Sequence, residues 1–85
     1  MLDSLYRYGG DEFIIAPLSM NLKTAKQLAE KIRHIVEEHK FIHDIQLTLS
    51  IGVSEYNIDD TPESWISRAD ISLYKAKNDG RNKVY

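Results

Sequence analysis

The sequence predicts an α+β (α/β layered) fold, an antiparallel-containing sheet packed with two helices, and three features carry that prediction. Apolar residues recur at three- and four-residue spacing in two stretches, follow strand-like patterns in others, and are separated by Gly, Pro and short polar connections. A chain of 85 residues makes one small domain, so residues 1–85 are read as a single folded unit with no second domain.

The first seventeen residues read as two strands around a tight turn, with Leu5, Tyr6 and Tyr8 before Gly9-Gly10 and Phe13, Ile14, Ile15 and Ala16 after it. A two-residue turn of the primed type needs positive φ at both central positions, which glycine adopts without a Cβ clash. Pro17 closes the second strand. Because Phe13 to Ala16 is apolar without alternation, that strand is predicted to be covered on both faces, as a central strand is.

From Asn21, a plausible N-cap, Leu22, Ala25, Leu28, Ala29, Ile32, Ile35, Val36 and His39 repeat with helical period until about Lys40. The next apolar set alternates: Ile45, Leu47, Leu49, Ile51 and Val53 against Gln46, Thr48, Ser50, Gly52 and Ser54. That pattern is a strand with one face on a helix and one polar or small face. Asn57 to Thr61 is a polar connection, and Pro62 suits the first turn of a second helix, capped by Asp60 or Thr61 with Glu63 near its positive end. Ile66, Ala69, Leu73 and Ala76 form its buried stripe, Trp65 and Tyr74 flank it, and Gly80 is placed to end it in the left-handed conformation. Lys83 to Tyr85 can add a short last strand. The strand at Phe13 to Ala16 needs a neighbour on each side; its successor is expected to return antiparallel, either pairing directly or leaving a gap for a partner chain.

Composition excludes several functions. Eleven Lys plus Arg against thirteen Asp plus Glu leave a net charge of −2, so no broad cationic surface holds a nucleic acid polymer or anionic lipid. There is no Cys for a disulfide, thiolate ligand or thiol nucleophile, which is compatible with a cytoplasmic location. No apolar run is long enough to form a membrane segment. His34, His39 and His43 do not read as zinc ligands, because the helix ends between the last two and no Cys or clustered acid joins them. Trp65 reads as packing.

The chemistry concentrates at the hairpin. Two adjacent glycines can let backbone approach a bound anion and donate N–H groups to it, and an adjacent carboxylate makes sense beside an anion only with a divalent cation between. Asp11 and Glu12 point to opposite faces of an extended chain, so they are not expected to serve one ion equally. A charged hairpin tip with no ligand is the alternative. Lys77 and Arg81, four apart across the end of the second helix, can converge on phosphate oxygens or complement the helix dipole.

Arg7 to Phe13 reads R-Y-G-G-D-E-F, which resembles the signature of GGDEF domains, the diguanylate cyclases that condense two GTP molecules into cyclic di-GMP. The resemblance continues through S-I-G-V at Ser50 to Val53, A-D at Ala69-Asp70, L-Y-K-A-K at Leu73 to Lys77 and G-R-N at Gly80 to Asn82. It implies a nucleotide-cyclase-like, ferredoxin-like palm fold, Mg²⁺ (or Mn²⁺) as cofactor, Asp11 as metal ligand, and Glu12 as a second essential acid that orients or deprotonates the attacking 3′-hydroxyl. Gly9, Gly10, Lys77 and Arg81 match its phosphate-binding residues. Asp3 matches the Asp of an inhibitory product site whose Arg would precede Met1, and is equally an ordinary turn residue. Arg7 and Tyr8 brace the hairpin.

In that family a strand and two helices precede the signature and carry another metal-binding Asp and the guanine-recognising residues. The sequence corresponds to about the C-terminal half of such a domain. The resemblance therefore implies that this chain alone makes no cyclic di-GMP at a meaningful rate and that it associates into a homodimer or larger assembly to cover its sheet. It also implies an upstream sensor domain. A catalytically silent module that binds nucleotide or a protein partner is the other reading.

Overall fold

The computed structural model describes residues 3–7, 11–17, 20–39 and 47–85, with backbone alone over the first of these segments. Strands β1 (Asp3–Arg7) and β2 (Glu12–Pro17) precede helix α1 (Leu22–Glu38), strand β3 (Ser50–Val53) and helix α2 (Pro62–Asn78). The sheet has the order β1-β2-β3, which puts the apolar strand in the centre.

β1 and β2 run antiparallel, with Asp3 opposite Pro17 and Arg7 opposite Phe13. The turn expected at Gly9-Gly10 falls between these two strands. Tyr8, Gly9 and Gly10 themselves lie outside the described residues, as do Lys40 to Gln46, including His43 and the start of the expected third strand.

β2 and β3 pair directly and in parallel, Phe13 opposite Ile51 and Ile15 opposite Val53, so the expected antiparallel return does not occur. The reason is the crossover: α1 carries the chain back along the sheet, and the next strand restarts from the same end in the same direction. On its outer edge β3 bonds the last residues, with Ile51 N donating to Lys83 O (2.9 Å) and Tyr85 N to Ile51 O (3.0 Å) around a parallel bridge to Val84.

The helices cover opposite faces. Ala25 and Ala29 of α1 pack with Ile51 and Val53, joined by Phe13 and Ile15, while Ala69 and Leu73 of α2 pack with Ile14 and, at the rim, Ile66. The result is a helix, sheet, helix sandwich whose core rests on alanines at the closest approaches. All four residues of β3 are buried, so the strand expected to have one covered face has two. Its small face is the α2 face. Gly52 lies so close that a Cβ there would stand 2.1 Å from Ala69 O and 2.4 Å from Leu73 N. The neighbouring serines are satisfied, Ser50 Oγ accepting from Asn82 N (3.2 Å) and Ser54 Oγ donating to Trp65 O (2.9 Å).

Local signals set the helix ends. Asn21 Oδ1 accepts from Thr24 N (2.8 Å), and Glu55 supplies a second acceptor to Leu22 N. Thr61, not Asp60, caps α2, in a reciprocal box with Ser64 (3.1 Å each way), and Pro62 opens the helix. Asp60 instead holds Ser64 Oγ (2.8 Å) and Arg68. The stripe expected for α1 is only partly covered: Leu28, Ile32 and Ile35 are exposed, because the helix meets the sheet along its alanine ridge. Trp65 is half-buried, edge-on to Tyr56.

Gly52→Ala is expected to lower unfolding free energy by about 3 kcal/mol, since the added methyl meets backbone and not a movable side chain. Urea denaturation of the two proteins checks this, and an unchanged midpoint would refute the close approach.

Candidate functional site

Three chain ends meet at one edge of the sandwich: the start of β2, the start of β3 and the end of α2. Glu12 is the first residue of β2 and pairs with Ser50, the first of β3. Asp11 precedes it, and its carbonyl accepts from Ser50 N (2.9 Å), which fixes the backbone beside the carboxylates.

α2 ends in a Schellman turn. Arg81 N donates to Ala76 O (2.9 Å) and Gly80 N to Lys77 O (3.4 Å), with Gly80 at φ 109° as the left-handed residue the sequence placed there. The left-handed run continues through Arg81 (φ 64°) and Asn82 (φ 52°). This turn folds Arg81 back beside Lys77. Lys77 Nζ lies 3.0 Å from Glu12 Oε1 and Arg81 Nη1 lies 3.2 Å from Glu12 Oε2, one cation on each oxygen.

The two cations thus converge as their spacing suggested, and in this structure they meet a carboxylate. Hydrogen bonds from Lys77 and then Arg81 hold the Glu12 carboxyl below its ordinary value of 4.5. Asp11 is half-buried and has no ion pair among the described residues. Gly9 and Gly10 lie outside them, and Asp3 is described only as the backbone position that opens β1 opposite Pro17.

Sequence reasoning missed the layer behind Arg81. Asn82 Oδ1 accepts from Arg33 Nη1 (2.7 Å), and Asn82 Nδ2 donates to Glu37 Oε2 (2.6 Å); Arg33 also pairs with Glu37 (3.1 Å) and Glu30. These partners are 45 and 49 residues from Asn82 in the chain, beyond any local pattern. The Gly-Arg-Asn run was the available signal, because Asn tolerates the left-handed region that follows a helix-ending Gly. His34 is also near acids after all: its ring and the Glu37 and Glu38 carboxylates lie within 4.8 Å of one another on exposed α1 surface. Glu37 is already engaged by Asn82 and Arg33.

A magnesium or manganese ion fits this donor chemistry in one way. Glu12 has both oxygens engaged, which leaves Asp11 as the carboxylate for a hard cation; such ions keep several waters and bind through one or two carboxylates plus substrate phosphates. Lys77 and Arg81 place two positive charges beside Asp11, on Glu12.

Residues 2–83 match the family described as diguanylate cyclase, GGDEF domain. The chain belongs to the GGDEF family. It is 44% identical to diguanylate cyclase A of Treponema denticola over 86 aligned positions, covering 96% of this chain and 23% of that protein. It is 39% identical to diguanylate cyclase DgcM of Escherichia coli K12 (96% and 20%) and 42% identical to diguanylate cyclase VdcA of Vibrio cholerae (93% and 25%). The chain therefore spans about a quarter or less of the length of these relatives, and it matches their C-terminal part. GGDEF membership places it in a cyclic di-GMP signalling family of nucleotidyltransferase type. No helix among the described residues is long and apolar enough to cross a membrane.

Carboxylates held below their ordinary range give pH-dependent stability of definite sign. Glu12 and Glu37 release their protons at lower pH folded than unfolded, so their contribution is whole above about 4.5 and is lost as pH falls through the folded values. Urea midpoints measured downward from pH 6 are expected to fall once pH drops below that range, and Glu12→Gln is expected to flatten part of the fall. A Glu12→Gln profile parallel to the wild type would mean that the two ion pairs contribute nothing.

Proposed function

We propose that this chain forms the triphosphate-facing part of a diguanylate cyclase that condenses two GTP molecules into cyclic di-GMP. The observation that carries the reading is the convergence of Lys77 and Arg81, from the end of α2, on Glu12 beside Asp11. Two cations and a free carboxylate at one sheet edge are what a metal-bound polyphosphate requires.

Each residue then has a task. Gly9 and Gly10 let main chain approach the phosphates, Asp11 holds Mg²⁺ or Mn²⁺, and Lys77 and Arg81 bind phosphate oxygens. The cation, when bound, offsets charge on the phosphates and favours attack at the α-phosphorus. Glu12 is the counter-ion of the two basic residues before nucleotide arrives. Phosphate oxygens compete for the same donors, and a Glu12 carboxylate released from them is free to orient or accept the proton of the 3′-hydroxyl. The working enzyme is read as a cytoplasmic homodimer in which two GTP-loaded domains face each other, under an upstream sensor domain.

A second reading is a catalytically silent nucleotide-binding or protein-interaction module, favoured by Glu12 being occupied on both oxygens. Calorimetric titration with GTP is expected to show binding that depends on Mg²⁺ and loses that dependence in Asp11→Ala. Lys77→Ala and Arg81→Ala are each expected to weaken it about tenfold, the worth of one charge-assisted hydrogen bond. Binding indifferent to all three substitutions would sink the proposal, and turnover in the presence of product-sensitive chromatography separates enzyme from silent module.

A further inference from the structure

The run Gly80-Arg81-Asn82 is the one place in the described chain where two consecutive non-glycine residues hold positive φ. Such a conformation is uncommon for side chains with a Cβ, Asn tolerating it better than Arg, and two in succession call for surroundings that hold them. The helix-ending turn accounts for Gly80 and contributes one bond to Arg81, through its N–H. It does not account for Asn82.

Asn82 is held from three directions. Its N–H donates to Ser50 Oγ (3.2 Å) on β3, its Oδ1 accepts from Arg33 Nη1 (2.7 Å), and its Nδ2 donates to Glu37 Oε2 (2.6 Å). Arg33 and Glu37 stand one turn apart on α1 and are themselves paired, so the amide is read by an acceptor and a donor already fixed relative to each other. The carboxamide satisfies both at once, whereas a carboxylate would face Glu37 with like charge. Arg81 directly precedes this anchor in the turn after α2, and its guanidinium reaches Glu12.

We propose that Asn82 is the positioning residue for Arg81: clamped by Arg33, Glu37 and Ser50, it locks the left-handed turn that aims the guanidinium at the Glu12 carboxylate and at the phosphate that replaces it. The inference rests on the phosphate reading above for its second half, and on the ion pair alone for its first. It also gives α1, which carries no residue of the site, a mechanical link to it through the Arg33 and Glu37 side chains.

Two measurements on the 85-residue chain test it. In the ligand-free protein, the Arg81 guanidinium nitrogen resonances report the ion pair with Glu12; Asn82→Ala and Asn82→Gly are both expected to shift them toward those of a free arginine, the glycine variant because it relieves the φ constraint yet loses the clamp. Glu37→Gln, which keeps one oxygen for Asn82 Nδ2 but loses the ion pair with Arg33, is expected to shift the signal less than Glu37→Ala does. Titration with inorganic tripolyphosphate is expected to weaken about tenfold in Asn82→Gly, and not to weaken further when Asn82→Gly is added to Arg81→Ala, since the effect passes through Arg81. An unchanged Arg81 signal in the Asn82 variants, or an additive double variant, overturns the assignment. Tripolyphosphate that binds neither wild type nor variants overturns the phosphate reading and with it the second half of the inference, while the resonance test still decides the first.

Discussion

α2 meets the sheet with its backbone. At Gly52 the helix main chain is so close that one added methyl would overlap Ala69 O and Leu73 N, and this approach fixes the height of α2 over β3. Height and register of a helix are one constraint, because the same contact that brings Ala69 and Leu73 onto Ile14 determines where the following turns fall. Lys77 is one turn beyond Leu73, and Arg81 follows in the turn that ends the helix. A small residue in the middle of a strand thus determines where two cations stand at the strand's beginning.

The ionic clasp at Glu12 is a consequence of that placement. A carboxylate between Lys77 and Arg81 keeps them from repelling each other, holds them in reach of a common point, and is itself held ionised by them. It is partly solvated, so it is a weak contributor to stability and an exchangeable one. The opposite face of the sheet is tied to the same point through Asn82, so all three layers converge on the turn after α2.

Much of this was legible in the chain. Asn21, Thr61, Pro62 and Gly80 mark helix ends by chemistry that acts within four residues, and each stands where expected. The unbroken apolar run from Phe13 to Ala16 reads as a central strand, because only a strand covered on both faces excludes polar residues from both. The G-G-D-E-F signature and its companion blocks fixed the family before any coordinates. For the strand of Ile51 and Val53 only one face was expected on a helix, and for a definite reason: Ser50, Gly52 and Ser54 read as a polar or small face, yet small residues are also what a closely packed helix requires, and alternation cannot tell the two apart.

What the sequence determined by itself is local and chemical: which segments are helices, where they stop, and which side chains carry charge suited to phosphate and metal. Tertiary structure alone decided the parallel pairing of β2 with β3, the occupation of both Glu12 oxygens, and the bonding of Asn82 to Arg33 and Glu37. The division follows range. Capping, period and turn chemistry are settled between near neighbours in the chain, whereas strand direction and ion-pair choice depend on groups dozens of residues apart, brought together only when the two helices close on the sheet.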